Sequence, residues 1–123
     1  MAVDWVLDTN AALYHLGGRL AAPLPAGRYA VSVISELEML SFAGLSPEEE
    51  RVTRAFLAGV AIQDLTLDIR NRTVRLRREY RLKLPDAIIA ATAMSLECTL
   101  LSNDRRLAAL PSLSCRVMPL RPS

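Results

Sequence analysis

The chain has little of several residue types that chemistry often relies on. It contains one histidine, His15, two cysteines, Cys98 and Cys115, and one lysine, Lys83. A lone histidine excludes mechanisms built on a histidine pair and most structural zinc sites. On a short apolar stretch, His15 reads as a surface or packing residue. The cysteines share no metal-ligand spacing and sit among apolar neighbours, so they read as buried thiols of a cytosolic protein, not a disulfide. Aromatic residues make up 5% of the chain, so core packing falls to Leu, Val, Ile and Ala. The same scarcity argues against extensive stacking on nucleic-acid bases. No run approaches the roughly 18 unbroken apolar residues of a membrane span. No basic-then-apolar leader precedes the first apolar stretch. The expectation is a cytoplasmic protein with no membrane partner.

Hydrophobic residues account for 51% of the 123 residues, enough for the core of a single domain covering 1–123. The net charge is only +2, but it is unevenly spread. Arg70, Arg72, Arg75, Arg77, Arg78, Arg81 and Lys83 cluster together, opposed only by Glu79. Arginine suits bidentate contacts to phosphate, so this segment is either a polyanion-binding edge or a solvated helix face.

Along the chain, strand and helix signals alternate. Val3 to Asp8 reads as a buried strand, with Thr9 or Asn10 capping a short helix that Gly17 and Gly18 end. Two prolines in 19–27 mark a loop. Tyr29 to Ile34 is β-rich, and Ser35 with Glu38 has the spacing of a capping box. Ser46-Pro47 opens a helix whose apolar face is expected at Val52, Ala55, Phe56 and Val60. Residues 61–65 form a short strand candidate. Thr66 caps the arginine-rich helix, with Leu67, Ile69, Val74 and Leu76 available for packing. Leu84-Pro85-Asp86 starts a helix, apolar nearly all round, that should lie buried on a sheet. Thr99 to Ser102 is a strand, Asn103-Asp104 caps a short helix, and Cys115 to Met118 is a last strand. This alternation predicts an α/β fold of three layers, with helices on both faces of a central, mostly parallel sheet of about five strands.

Four acids fall at strand-to-helix junctions: Asp8, Glu38, Asp86 and Asp104. In an open parallel sheet, ligands bind beyond the carboxyl ends of the strands. If folding gathers these carboxylates, their mutual repulsion calls for a divalent cation with oxygen ligands. Such a cation also lowers the pKa of water and offsets charge in phosphoryl transfer. Each acid has a plainer reading as well. Asp8 and Asp104 can be helix caps, Glu38 a capping-box partner, and Asp86 a first-turn acid favoured by the helix dipole. Glu36 rivals Glu38 for the second position.

Four pieces then stand out in order: Leu7-Asp8-Thr9-Asn10, Ser32 to Glu38, Leu84 to Ala93, and Leu101-Ser102-Asn103-Asp104. Together they resemble the PIN domain, and in particular the VapC-type toxins of bacterial toxin–antitoxin pairs. The resemblance spans Val3 to about Val117, and its third piece is the most specific. It implies a PIN-like fold and endoribonuclease activity dependent on Mg2+ or Mn2+. The acids Asp8, Glu38, Asp86 and Asp104 would be catalytic, and Asp8, Asp86 and Asp104 would hold the metal. Thr9, Asn10, Ser102, Asn103 and Glu36 would support them. The family's spacing from the strand serine selects Glu38 over Glu36, and Ser102 stands where Thr is common. Arg75, Arg78, Arg105 and Arg106 are candidates for holding RNA. The implied partners are an antitoxin, the RNA substrate and a second copy of the chain.

Other classes fit less well. A phosphoryl-receiver domain needs a lysine at the end of a late strand, and Lys83 precedes Pro85 instead. A phosphatase with an aspartate nucleophile usually has an acid two residues on, where Asn10 stands. A catalytically silent RNA-binding or assembly module is the remaining alternative.

Overall fold

The computed structural model describes residues 2–122. Strand β1 (Trp5–Leu7) leads into helix α1 (Thr9–Leu16). Then come β2 (Tyr29–Ser32), α2 (Val33–Leu40), α3 (Pro47–Ala58) and β3 (Ala61–Gln63). The second half is α4 (Leu67–Tyr80), α5 (Leu84–Ser95), β4 (Thr99–Ser102), α6 (Arg105–Ala108) and β5 (Cys115–Val117). The five strands form one sheet in the order β3-β2-β1-β4-β5, and every pairing is parallel.

Residue alternation divides the core. Val6, Ala30 and Leu100 face one side, where they pack with Ile69 and Leu76 of α4, the alanine-rich α5, and Leu107 of α6. Their neighbours Leu7, Val31 and Leu101 face the other side, against Ala11 and Ala12 of α1, Met39 of α2 and Leu57 of α3. Successive strand side chains point to opposite faces, so an apolar run with no alternation is what a sheet covered on both sides requires. Helix α5 lies against the sheet with Ala87 through Ala93 all buried. No helix among the described residues is long and apolar enough to cross a membrane.

Several local boundaries differ from the sequence reading. Helix α1 begins at Thr9, and its cap is Asp8, whose Oδ1 accepts the Ala11 N–H at 2.7 Å. The second strand stops at Ser32, whose hydroxyl accepts the Ile34 N–H at 3.2 Å and caps α2. The β-branched Val33 and Ile34 are therefore helical, because the cap and packing outweigh their weak strand preference. Ser35 lies buried in the first turn and is not a cap. A capping box forms instead at Ser46 and Glu49 of α3. On α4 the buried stripe is Ile69, Thr73 and Leu76, spaced by four and three, while Leu67 and Val74 face solvent. On α3 the buried positions are Thr53 and Leu57, flanked by half-buried Phe56 and Val60, and Val52 and Ala55 are exposed. Cys98 and Cys115 are free and half-buried.

Candidate active site

The strand order locates the site. From β1 the chain winds outward through β2 to β3, then returns to place β4 on β1's other side. The winding direction reverses between β1 and β4, and loops diverge there beyond the strands' carboxyl ends to leave a crevice. Asp8 follows β1 directly, and Asp104 follows β4 by two residues. Helix α5 precedes β4, and its first turn carries Asp86 to the same end of the sheet. Helix α2 follows β2 and contributes Glu38 from its second turn. A cleft of about 320 Å³ opens there, lined by Asp8, Glu38, Asp86 and Asp104 together with Thr9, Asn10 and Asn103.

Each acid is held differently. Asp8 is only 6% exposed, and both of its oxygens are engaged. Oδ1 caps α1, and Oδ2 accepts the hydroxyl proton of fully buried Ser102. That hydroxyl oxygen also accepts the Asp104 N–H at 2.9 Å, so Ser102 ties two of the acids together from beneath. Burial pushes the Asp8 carboxyl above its ordinary range. The Ser102 and Ala11 hydrogen bonds pull it back, and Asp104 and Asp86 push it further up. Burial likewise raises Asp86, helped by Asp104 and Glu38 and opposed by Arg106 and Lys83. For Asp104, burial pushes upward, but the hydrogen bonds and charge of Arg106 win and leave it below the usual range.

The Thr9 hydroxyl donates to Glu38 Oε1 at 2.7 Å and touches the Ser35 hydroxyl at 2.9 Å. With α2 starting at Val33, residues 35, 38 and 39 share its inward side, so Glu38 lines the cleft. Glu36 does not stand among the lining residues. Asn103 donates from Nδ2 to the Met118 carbonyl, while its Oδ1 is buried with no partner among the described residues. Arg106 reaches Asp104 Oδ2 at 3.2 Å and Asp86 Oδ2 at 3.8 Å. Arg105 is exposed, and Arg78 is exposed on α4. Arg75 lines a different cleft, between α4, α5 and residues 110–113.

Tyr14, Pro85 and Ile89 complete the lining and Ser35 lies beneath Thr9, none of which the sequence pattern assigns to the site. Ser35 and Glu38 are three apart, a same-face spacing that was available as a signal. Tyr14 carried none.

The donor set fits a hard divalent cation. All four acids supply oxygen, and the titration of Asp8 and Asp86 is moved upward first by burial and then by neighbouring carboxylates, both of which a bound cation would offset. As the side chains stand, no three acidic, histidine or cysteine residues among the described residues are grouped closely enough to hold a metal. Mg2+ commonly takes one or two carboxylates and keeps several waters, so closure by three is not required.

The PIN-domain family model matches residues 5–113. Among solved structures, a chain of a toxin–antitoxin complex from Klebsiella pneumoniae is 33% identical. The match covers 89% of this chain and 95% of that one, with a TM-score of 0.75. VapBC2 from Rickettsia felis, bound to a promoter DNA fragment, shares the fold at 20% identity over 92% and 97% of the two chains, TM-score 0.74. DNA-bound VapBC from Salmonella typhimurium shares it at 18% identity over 94% and 98%, TM-score 0.75. No curated protein matches the chain. The match over residues 5–113, with a relative one-third identical over most of both lengths, shows that this chain belongs to the PIN-domain family.

Proposed function

We propose that this PIN-domain protein is a VapC-like endoribonuclease that hydrolyses RNA phosphodiesters with Mg2+ or Mn2+, as the toxin of a toxin–antitoxin pair. The observation that carries this reading is the meeting of Asp8, Glu38, Asp86 and Asp104, from four separate segments, over one cleft at the sheet's switch point. Asp8, Asp86 and Asp104 would hold the cation once their side chains draw closer than they stand, with the remaining positions left to water. When bound, it supplies positive charge that neutralises the acids and offsets the negative charge developing on the phosphoryl oxygens. Asp8 is rigid because the α1 cap and Ser102 restrain both of its oxygens. Glu38 is exposed and restrained at Oε1 by Thr9, which leaves Oε2 to orient the attacking water and receive its proton. Asn10 and Asn103 supply polar groups to the cleft wall. Arg105 and Arg106 follow Asp104 in the chain and would contact backbone phosphates. With few aromatics, selectivity rests on RNA shape and loop contacts.

An antitoxin segment and a second copy of the chain are the proposed protein partners. A groove of about 420 Å³ between α1, α2 and α3 is lined by Leu13, Leu16, Met39, Phe42 and Val52, and supports a contact of this kind. Phe42 is 64% exposed there. The cytoplasm, where RNA is accessible, is the proposed location.

The test is cleavage of single-stranded and structured RNA by purified protein, with Mn2+ or with chelator, for the wild type, Asp8→Asn and Asp86→Asn. Metal-dependent cleavage lost in both variants is expected. Equal cleavage by the wild type and Asp8→Asn would remove Asp8 from the chemistry.

A further inference from the structure

Between Asp86 and Asp104 the chain has placed one of its own cations. Arg106 approaches Asp104 with two nitrogens, Nη2 at 3.2 Å from Oδ2 and Nε at 3.4 Å from Oδ1, while the same Nη2 lies 3.8 Å from Asp86 Oδ2. The two carboxylates are each 29% exposed, whereas the arginine side chain is 69% exposed. The pair is therefore partly sheltered and its counter-charge is loosely held. The guanidinium head touches Asp86, a residue 20 positions away on another helix, so the contact is tertiary and not merely a turn of α6.

We propose that Arg106 is an internal placeholder, which neutralises the Asp86–Asp104 pair in the metal-free protein and must leave it when a divalent cation binds. This rests on the metal-site reading above. Two positive charges cannot share a pair of carboxylates without repulsion, so Arg106 competes with the cation. An exposed arginine on a flexible stem can swing aside at small cost. Its departure places a guanidinium at the mouth of the cleft, in the charge state that a phosphate backbone needs.

The test is Mn2+ binding by calorimetry, with free Mn2+ followed by electron paramagnetic resonance, for the wild type, Arg106→Gln, Arg105→Gln and Asp86→Asn. Arg105→Gln changes the net charge equally on the same helix and controls for long-range effects. Arg106→Gln is expected to bind Mn2+ about three- to fivefold more tightly than the wild type at low salt, the scale of one exposed ion pair. That gain should shrink in about 0.5 M salt as screening shortens the Debye length. Arg105→Gln should change affinity by less than about twofold, since its charge is farther from the pair. If the wild type binds no Mn2+, or Asp86→Asn binds as well as the wild type, the metal-site reading fails. If the wild type binds through Asp86 and Arg106→Gln binds no more tightly, the placeholder role is overturned.

Discussion

Replacing Asp8 with Asn should make the metal-free protein more stable while removing its proposed activity. The side chain is 6% exposed, and its ionised form is disfavoured chiefly by burial and then by the charges of Asp104 and Asp86. Ser102 and Ala11 relieve part of this but leave the carboxyl above its ordinary range. The folded-state pKa thus exceeds the unfolded one. At a pH below the unfolded value, Asp8 is protonated in both states and carries no penalty. As pH rises from the unfolded value through the folded one the penalty grows, and it is complete above the folded value. Asparagine caps a helix about as well as aspartate, so the Ala11 hydrogen bond survives. The help that Ser102 gives the ionised carboxylate is already contained in the net upward shift, so its loss adds no separate cost. Relieving functional strain of this kind gives roughly 0.5–2 kcal/mol. A net gain of about 1 kcal/mol corresponds to a Tm rise of about 3–5 °C for a chain of this size. Thermal melts followed by circular dichroism, in chelator, at neutral pH and near pH 3, make the measurement. The variant should melt higher at neutral pH, and the difference should fade in acid. Adding Mn2+ should raise the wild-type Tm by mass action and leave the variant unmoved. A variant that melts below the wild type at neutral pH would refute the reasoning.

Other outcomes follow from single contacts. Ser102→Ala removes the donor to Asp8 and the acceptor for the Asp104 N–H. It should cost about 1–3 kcal/mol in urea titrations and reduce RNA cleavage, because two acids lose their shared support. Gly27 has φ +140, and an added Cβ would lie 2.8 Å from Trp5 Nε1 and 2.9 Å from Asp4 Oδ2. Gly27→Ala should therefore disturb the 3.0 Å bond from Trp5 to the Ala26 carbonyl, cost more than about 1 kcal/mol, and shift the fluorescence of the only tryptophan. Burial, then Asp8 and Asp104, push the Cys115 thiol up to about 11. Iodoacetamide at pH 8 should modify it slowly in the native protein and rapidly in denaturant, since roughly one part in a thousand is thiolate. Fast native labelling would show that the thiol is not shielded.

Local chemistry along the chain accounts for much of what is observed. The seats of three acids were legible because each depends on residues within one helical turn. Asp8 ends a short apolar run, Asp86 follows the Pro85 that opens α5, and Asp104 follows Ser102 and Asn103. The α/β alternation and the buried character of α5 were readable for the same reason. The second acid was harder, because its face depends on where α2 begins. The sequence points to Ser35 as the cap, whereas Ser32 caps α2 and Ser35 packs beneath Thr9. The choice of buried positions on α3 and α4 was likewise settled by contact with the sheet, which leaves the apolar Leu67 and Val74 in solvent.

The side-by-side placement of β1 and β4 is a property of the folded sheet alone. It joins Asp8 to Ser102 across 94 positions and sets Asp104 within electrostatic reach. The upward titration of Asp8 and Asp86 and the insertion of Arg106 between Asp86 and Asp104 depend on burial and on distances between remote segments. Short-range patterns position a side chain on its own helix or strand. Only strand pairing and helix packing determine which charges then share a low-dielectric cleft.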